Sequence, residues 1–295
     1  MRVFLTGASG WIGSTIARDL LAAGHSVTGL TSASGKAEAL SAEGVTPLVG
    51  SLEDIDVLRQ GAEDADGIIH TAFGLDISRI AELAAEDRTA IETFGDVVAG
   101  SNRPIIVTSG FLNVTGGKTC EDERPEVLPD FPRASEQAAF GLADRGLHAN
   151  VVRNPRSVHG KGEKHGFVPM LAAVAKGKGV SAYIGDGQQM WPAVHRLDAA
   201  RVYRLALERG AQGEAYHAVA EEGVPFRDIA EAIGRQLGLP AVSLTPAEAE
   251  AHFGPLAVWV GNDGPASNVW TRRTLGWHPE QPGIVDDIEQ PDYQG

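Results

Sequence analysis

The first thirteen residues constrain the fold of this chain more than any other stretch. Residues 2–6 form an apolar run that is long enough for one buried strand and too short for a helix. Gly7, Gly10 and Gly13 follow, and apolar residues then recur at helical spacing until Gly24. A glycine-rich turn between a strand and a helix lets the backbone approach a pyrophosphate, and the helix start adds free N–H groups. The pattern therefore predicts a dinucleotide-binding turn, and the alternative is a tightly packed turn without a ligand.

The first half of the sequence alternates strand and helix patterns. Apolar runs predict strands at 2–6, 25–30, 45–49, 67–73, 104–109 and 147–153, with helices at 35–42, 55–61, 77–99 and 133–145. This alternation predicts an α/β fold of the Rossmann type, a doubly wound parallel sheet with helices on both faces. In such folds the ligand lies across the carboxyl ends of the strands, so we expect Thr31, Ser51, Thr71 and Ser109 to face one crevice.

The alternation of strand and helix patterns ends after Gly110. Residues 111–132 are rich in glycine, proline and acidic residues and predict a surface loop. Later helices are predicted at 168–176, 226–237 and 246–253, with an isolated segment at 180–191. These pieces are too few for a second core of equal size. We therefore expect a nucleotide-binding domain at 1–158 and mainly a smaller substrate-binding lobe at 159–295, from which some elements return to the first domain.

Composition limits the partners of the chain. A formal net charge of −14 disfavours nucleic acid and anionic membranes as partners. The single cysteine, Cys120, cannot form an internal disulfide and fits a reducing cytoplasm. There is no apolar stretch of membrane-spanning length, and the nine histidines follow no metal-binding spacing. We expect a cytoplasmic monomer or homodimer that acts on a small molecule and holds no metal.

Cofactor preference is indicated at the end of the second predicted strand. An NAD-binding turn usually carries an acidic residue there for the ribose 2′-hydroxyl, whereas a 2′-phosphate needs a cation and no carboxylate. Residues 30–36 contain no acid and offer Thr31, Ser32 and Lys36. This favours NADP(H), with NAD(H) as the second choice, although Lys36 could also be a solvated helix residue.

Motifs along the whole chain resemble the short-chain dehydrogenase/reductase superfamily, in particular its extended and atypical members. Residues 6–13 (TGASGWIG) resemble the TGxxGxxG fingerprint, and residues 153–160 (RNPRSVHG) resemble the segment that lines the nicotinamide. Residues 185–187 and 194–198 resemble a substrate-lobe segment, and 275–279 the closing element. The resemblance and the turn patterns together give as cofactor-binding residues Gly7, Ser9, Gly10, Trp11, Ile12, Gly13, Thr31, Ser32, Lys36, Ser51, Leu52, Thr71, Ala72, Phe73, Thr108, Pro155, Arg156 and Ser157.

The sequence differs from the superfamily pattern at the catalytic acid that members usually carry. Members use a Tyr with a Lys four residues later, whose charge lowers the pKa of the Tyr. None of the four tyrosines here has Lys at that spacing, and residues 132–137, where the pair is expected, read Pro-Arg-Ala-Ser-Glu-Gln. Gly110 stands near the expected place of the helper serine. The residues predict an atypical reductase that keeps cofactor binding and lacks the usual acid.

Three side chains are candidates for the missing catalytic role. Ser109 follows a strand that ends beside the nicotinamide, His159 stands where relatives carry a Tyr, and Tyr183 could present its hydroxyl to a ligand. Each could equally be a structural residue, and the proton could come from ordered water or from the substrate. Arg133 and Arg156 are either anion contacts or solvated charges.

Apolar side chains dominate the predicted substrate pocket. The candidates are Phe111, Leu112, Phe167, Met170, Trp191 and Phe253. They favour a bulky, flat organic substrate over a nucleotide sugar, whose diphosphate would need a cluster of cations. We therefore expect NADPH-dependent reduction of a ketone, as the resemblance implies for natural-product ketoreductases. The alternatives are a catalytically silent NADP-binding redox sensor and a nucleotide-sugar epimerase or dehydratase.

Overall fold

A computed structural model describes residues 1–32, 34–74, 76–110, 118–124, 132–290 and 293 of the chain. Its strands within these residues are β1 (Arg2–Thr6), β2 (Ser26–Thr31), β3 (Thr46–Val49), β4 (Gly67–His70), β5 (Ile105–Gly110), β6 (Ala149–Asn154), β7 (Ser157–His159), β8 (Ser181–Ile184), β9 (Met190–His195), β10 (Ala215–His217), β11 (Glu221–Pro225) and β12 (Ala241–Leu244).

The helices alternate with these strands through the first half of the chain, and α9 to α12 follow the last strand, β12. They are α1 (Trp11–Ala22), α2 (Ser34–Ala42), α3 (Ile55–Glu63), α4 (Ile80–Val98), α5 (Ser135–Asp144), α6 (Phe167–Lys178), α7 (Arg196–Arg209), α8 (Phe226–Leu237), α9 (Pro246–Phe253), α10 (Ala257–Gly261), α11 (Val269–Leu275) and α12 (Ile284–Ile288). One 3₁₀ turn, Ile77–Arg79, leads into α4. None of the helices in the described part of the chain is long and apolar enough to cross a membrane.

The main sheet has seven parallel strands in the order β10-β6-β5-β4-β1-β2-β3. This is the doubly wound Rossmann arrangement that the sequence predicts, and the strand order reverses between β1 and β4. Helices cover both faces because each strand is apolar on both sides. One face packs α1 and α7 through Ile16, Leu20 and Tyr203, and the other packs α3, α4 and α5 through Phe94 and Leu142 among others.

Two local predictions about strands are wrong. The strand predicted at 67–73 ends at His70, because Thr71 and Ala72 turn across the end of β1 and donate their backbone N–H groups to the Thr6 hydroxyl oxygen. The segment at 180–191 is not isolated. Its β8 pairs with β12, and β9, which begins at its end, pairs with β7 and β11.

The later residues divide between the main sheet and a third core. α7 packs on α1, and β10 forms the edge of the main sheet beside β6. The third core gathers apolar side chains of α6, β9, α8, α9 and α12, with Trp191, Phe226 and Phe253 among the buried aromatic residues. This core carries α6 against the carboxyl ends of the main strands, where Phe167 reaches the cavity described next.

Candidate active site

A cavity of about 790 Å³ lies at the carboxyl ends of the main strands, beside the reversal of strand order. Its walls come from the turn after β1, the ends of β2 to β6, and α6. Thr31, Ser51, Thr71 and Ser109 all line it. The volume and the elongated lining, from β3 at one end to α6 at the other, suit an extended ligand with two distinct ends.

The glycine turn is held by backbone contacts that leave no room for side chains at two positions. Gly7 has φ +71°, and a Cβ there would lie 2.6 Å from Thr71 Oγ1. A Cβ on Gly13 would lie 2.0 Å from the Gly7 carbonyl oxygen. Gly10 differs, since its Cβ would approach only that carbonyl, at 3.1 Å. The turn thus forms a cradle of backbone at the start of α1, which fits a pyrophosphate.

The end of the cavity near β2 and β3 offers hydroxyls and one exposed cation. Ser32 and Lys36 are exposed, while Thr31 is buried and its Oγ1 has no hydrogen-bond partner among the described residues. Ser51 is fixed by Asp54, whose Oδ2 accepts from the Ser51 backbone N–H at 2.7 Å and from its hydroxyl at 2.9 Å. An orphaned buried hydroxyl beside an open cavity is a site for a ligand hydrogen bond.

A buried chain of hydrogen bonds runs from the glycine turn across the sheet. The Thr6 hydroxyl accepts two backbone N–H groups, so its proton goes to His70 Nδ1 at 2.7 Å. Nε2 of His70 then donates to Asp87 Oδ1 at 3.1 Å, and the Ser135 hydroxyl donates to Asp87 Oδ2 at 2.6 Å. Burial opposes ionisation of Asp87, but His70, Arg133 and Ser135 hold the pKa of its carboxyl below the ordinary value.

The buried chain of hydrogen bonds ends at Arg133, which lies just before α5 and lines the cavity. Its Nε donates to the Ser135 hydroxyl oxygen at 2.8 Å, and Nη2 donates to the Thr108 carbonyl oxygen at 3.1 Å. The guanidinium carbon lies 3.9 Å from the centroid of the Phe73 ring. Burial lowers the pKa of Arg133, although nearby Asp87 acts in the opposite direction. A half-buried cation therefore faces the cavity beside the ends of β4 and β5.

A second chain of hydrogen bonds supports the same end of the cavity from behind. Asn154 Nδ2 donates to the Tyr203 hydroxyl oxygen at 2.7 Å, and that hydroxyl donates to Thr108 Oγ1 at 3.0 Å. Thr108 and Asn154 line the cavity, whereas Tyr203 is fully buried. Burial raises the pKa of Tyr203 to about 12. Since Thr108 Oγ1 accepts from Tyr203, its own proton is available for another acceptor.

Most residues that the sequence assigns to cofactor binding lie on this cavity. They are Gly7, Ser9, Gly10, Trp11, Ile12, Gly13, Thr31, Ser32, Lys36, Ser51, Leu52, Thr71, Ala72, Phe73, Thr108, Pro155 and Arg156. Ser157 is not among them, because its side chain is buried and accepts a hydrogen bond from Trp191 Nε1 at 2.9 Å. Of the catalytic candidates, Ser109 lines the cavity.

The structure does not bring His159 or Tyr183 to the cavity. His159 is fully buried in β7, and its Nδ1 lies 2.7 Å from Asp287 Oδ2. Tyr183 lies in β8, where it packs against the third core and beneath the guanidinium of Arg227 at 5.5 Å. Both side chains are therefore packed within the lobe.

The candidate substrate residues also separate. Phe167 lines the cavity and packs edge-on against Trp191, with 5.4 Å between the ring centroids. Trp191 thereby supports Phe167 from inside the third core. Phe253 also lies in that core and does not reach the cavity. Met170 on α6 is about half exposed. Phe111 and Leu112 lie outside the described residues.

Arg133 and Asn154 line the site, although no definite role for them follows from the sequence. The signal for Arg133 is its place within residues 132–137, where the superfamily pattern expects the Tyr and Lys. Asn154 stands at the end of β6, next to the predicted Pro155. Among the described residues, no group of three or more His, Cys, Asp or Glu could hold a metal ion.

Comparisons with known proteins agree with this geometry. A sequence family described as NAD(P)H-binding matches residues 7–182. An uncharacterised protein of Schizosaccharomyces pombe is 45% identical over 295 residues, which is 99% of this chain and 100% of that protein. The 4-hydroxy-2-methyl-3-oxo-4-farnesyl-3,4-dihydroquinoline-1-oxide ketoreductase of Stigmatella aurantiaca is 26% identical over 269 residues, or 86% of this chain and 80% of that enzyme.

The fold also matches solved structures of the same class. DesIV, a dTDP-glucose 4,6-dehydratase from Streptomyces venezuelae solved with NAD and TYD bound, superposes with a TM-score of 0.77 and 19% identity. The match covers 98% of this chain and 95% of that chain. The chain therefore belongs to the family described as NAD(P)H-binding.

Proposed function

We propose that the protein catalyses the NADPH-dependent reduction of a ketone on a bulky hydrophobic or aromatic substrate. The observation that carries this proposal is the composition of the cavity beyond the glycine turn. Phe73 and Phe167 give that end apolar walls, and Ser109 with Arg133 gives it polar groups beside the strand ends. Such a site suits a carbonyl group embedded in an apolar body. In this proposal, residues 159–295 are mainly the substrate lobe.

NADPH is the cofactor that these residues would hold best. The turn at residues 7–13 would bind the pyrophosphate, Ser51 and Leu52 the adenine, and residues 71–73 the nicotinamide ribose. Lys36 and Ser32 are available for a 2′-phosphate, and residues 30–36 contain no carboxylate that would repel it. When bound, the cofactor supplies a hydride to the carbonyl carbon. NAD(H) remains the second choice.

The protein's own part in the reaction is positioning and electrostatic support. Ser109 is the catalytic candidate with access to the cavity, and its hydroxyl would donate a hydrogen bond to the carbonyl oxygen. His159 and Tyr183, held within the lobe, have a weaker claim to this role. Phe73 and Phe167 exclude water from the reacting groups. The proton would come from ordered water or from an acidic group of the substrate, since positioning alone can contribute on the order of 7–11 kcal/mol.

The ketoreductase of Stigmatella aurantiaca supports this substrate class. Its name describes a ketone on a dihydroquinoline with a farnesyl chain, which is a flat and largely apolar molecule. An apolar cavity end with few charges would accept a compound of this kind. A nucleotide sugar is less suitable, because its diphosphate would need a cluster of cations in addition to those used by the cofactor.

A catalytically silent NADP-binding sensor is the second candidate. It is favoured by the sequence at residues 132–137, which lacks the superfamily's Tyr and Lys. Turnover separates the two candidates. The purified protein is mixed with NADPH and a panel of aromatic and polycyclic ketones, and absorbance at the nicotinamide band is followed while NADPH binding is measured by fluorescence. We expect NADPH binding together with substrate-dependent oxidation. Tight NADPH binding without oxidation across the panel would favour the sensor.

A further inference from the structure

We propose that Arg133 is a catalytic residue whose guanidinium binds the carbonyl oxygen of the substrate and stabilises the negative charge that develops there. This inference rests on the proposed reductase function. It assigns the role of the superfamily's tyrosine to a permanent cation. It also predicts a ligand class for the site, namely apolar molecules that carry an anionic oxygen, such as aromatic carboxylates.

The position of Arg133 is fixed by the two strand ends that border the reacting end of the cavity. Nη2 is tied to the Thr108 carbonyl oxygen in β5, at 3.1 Å. The plane of the guanidinium lies near Phe73, which follows β4, at 3.9 Å from the ring centroid. Because one contact comes from β5 and the other from the turn that follows β4, the cation keeps its place relative to the nicotinamide end of the nucleotide site. A pre-oriented charge costs no reorganisation during the reaction.

The orientation is reinforced from the side facing away from the cavity. Arg133 Nε donates to Ser135, Ser135 donates to Asp87, and Asp87 accepts from His70. The hydrogen bonds converge on Asp87 from both sides, because Thr6 supplies the proton to His70 Nδ1 and Nε2 of His70 then donates to Asp87. Buried and fully paired polar chains of this kind restrict side chains to one arrangement. Ser135, Asp87 and His70 are thus positioning residues for Arg133.

The guanidinium has donors left over. It carries five N–H bonds, of which two are used by Ser135 and Thr108. Among the described residues, none accepts a hydrogen bond from Nη1, and no carboxylate lies within ion-pair distance of the guanidinium. The negative charge of Asp87 acts on Arg133 from a distance, because the Ser135 hydroxyl lies between the two groups. A half-buried cation with unused donors that borders a cavity is suited to bind an anionic or polarised oxygen.

Arg156 also lines the cavity but is arranged differently. Its Nη1 donates to the Asn262 carbonyl oxygen at 2.9 Å, which ties it to the lobe. Its guanidinium carbon lies 5.1 Å from the centroid of the Trp191 ring, in the third core. Arg133 is therefore the cation that contacts the end of β5, and it lies within residues 132–137, where the superfamily pattern expects the Tyr and Lys.

The chemical step balances without an acid from the protein. The carbonyl carbon gains a C–H bond from the hydride, NADPH is oxidised to NADP⁺, and the π electron pair of the C=O bond moves to oxygen. The oxygen's negative charge is stabilised by Arg133 until water delivers a proton. A tyrosine would give up its own proton, whereas the Arg133 guanidinium keeps its charge, because a guanidinium is not deprotonated in proteins even where burial lowers its pKa.

The first test compares turnover of variants with the best ketone found in the panel. Removing one preorganised oxyanion donor costs about 10²–10³ in kcat in other enzymes. We expect Arg133→Gln to lower kcat by at least 10²-fold and Arg133→Lys to recover part of the loss, with NADPH affinity changed less than about twofold in both. Arg124→Gln is the matched control. Arg124 also stacks on a phenylalanine, Phe140 at 3.7 Å, and donates to a backbone carbonyl, but it does not line the cavity.

The second test needs no turnover. Benzoate and benzamide have the same shape and differ in charge, and both are titrated by calorimetry into the protein saturated with NADP⁺. We expect the wild type and Arg124→Gln to prefer benzoate, and Arg133→Gln to lose that preference while its melting temperature and NADP⁺ affinity are kept. Equal affinities for the two probes in the wild type, or an unchanged preference in Arg133→Gln, would overturn the role of Arg133. Absence of wild-type turnover with a normal benzoate result would overturn the proposed function and with it the catalytic role of Arg133, and would leave anion binding by Arg133 standing.

Discussion

The two ends of the cavity differ in what holds them together. The end formed by the turn after β1 depends on backbone, since Gly7 and Gly13 have no room for a Cβ. The end near β4, β5 and α5 depends on side chains, which are linked by two buried chains of hydrogen bonds through His70 and Tyr203. Backbone constraints limit the residue types that can occupy a position. A side-chain network can be exchanged for another one on the same fold.

The largest expected effect comes from filling the backbone cradle. Gly10→Val should reduce NADPH affinity by at least a hundredfold, because the branched side chain would occupy the space of the pyrophosphate. The fold should survive, since Gly10 has φ −80° and a Cβ there meets one backbone atom at 3.1 Å. Calorimetric titration with NADPH measures the affinity, and thermal melting measures the fold.

Gly141→Ala is the control for this change. Gly141 lies inside α5, where a Cβ would meet nothing within 4 Å. Replacing a helical glycine by alanine should leave binding unchanged and stabilise the helix by up to about 1 kcal/mol. Normal NADPH affinity in Gly10→Val would show that the turn is structural and that the two ends do not differ in the way described.

The difference between the two ends also explains which parts of the site could be predicted from the sequence. The glycine turn, the strand alternation and the hydroxyls at the strand ends follow from local pattern, because backbone geometry and burial dictate residue type there. The orientation of Arg133 depends on Ser135 and on Asp87, which lies 48 residues before Ser135, and on His70, 17 residues before Asp87. No local pattern indicates such partners.

The same reason applies to the residues of the lobe. Trp191 and Ser157 have the residue types expected at a pocket, and their mutual hydrogen bond across β9 and β7 turns both inward. Pairing of β8 with β12 likewise joins segments 60 residues apart, as in Ala241 with Ser181. Long-range pairing of this kind is set by the assembled tertiary structure and not by propensity.

Alkaline stability tests the side chains behind the reacting end. Burial raises the pKa of Tyr203 to about 12, whereas an ordinary Tyr ionises near 10. The unfolded chain therefore loses the proton before the folded protein does. The stability that Tyr203 contributes is complete below pH 10 and is lost between pH 10 and 12, with a slope of about 1.4 kcal/mol per pH unit. Tyr203→Phe should remove this part of the slope in urea denaturation curves measured from pH 9 to 12.

Tyr216 provides the matched comparison. Burial raises the pKa of Tyr216 to about 12 as well, and its hydroxyl accepts from the Ala211 N–H, with no contact to Thr108. Tyr216→Phe should remove a similar part of the alkaline slope without a change in turnover. Tyr203→Phe should in addition lower turnover, because Thr108 and Asn154 lose their common partner. Equal turnover in both variants would mean that the Tyr203 chain does not support the site.

A smaller effect is expected at Ser109. Its side chain makes no hydrogen bond among the described residues, so Ser109→Ala leaves no buried group unpaired. We expect kcat to fall by about tenfold and in any case less than a hundredfold, below the middle of the range for a general acid. Ser41→Ala, on the exposed face of α2, is the control. Elimination of turnover with intact binding of NADPH and substrate would show that Ser109 itself carries the proton.

The smallest expected effect is at the cavity end near β2 and β3, where Lys36 contributes a charge and holds no other residue in place. An exposed ion pair is worth about 0.2–1 kcal/mol, because water and salt screen it. Lys36→Ala should therefore weaken NADPH by roughly fivefold and leave NADH nearly unchanged, since only NADPH carries the 2′-phosphate. The difference should shrink as salt rises from 50 to 500 mM. Equal affinities of the wild type for NADPH and NADH would remove the argument for NADP(H). Loss of binding of both NADPH and NADH in Lys36→Ala would show that the structure of this end, too, depends on side chains.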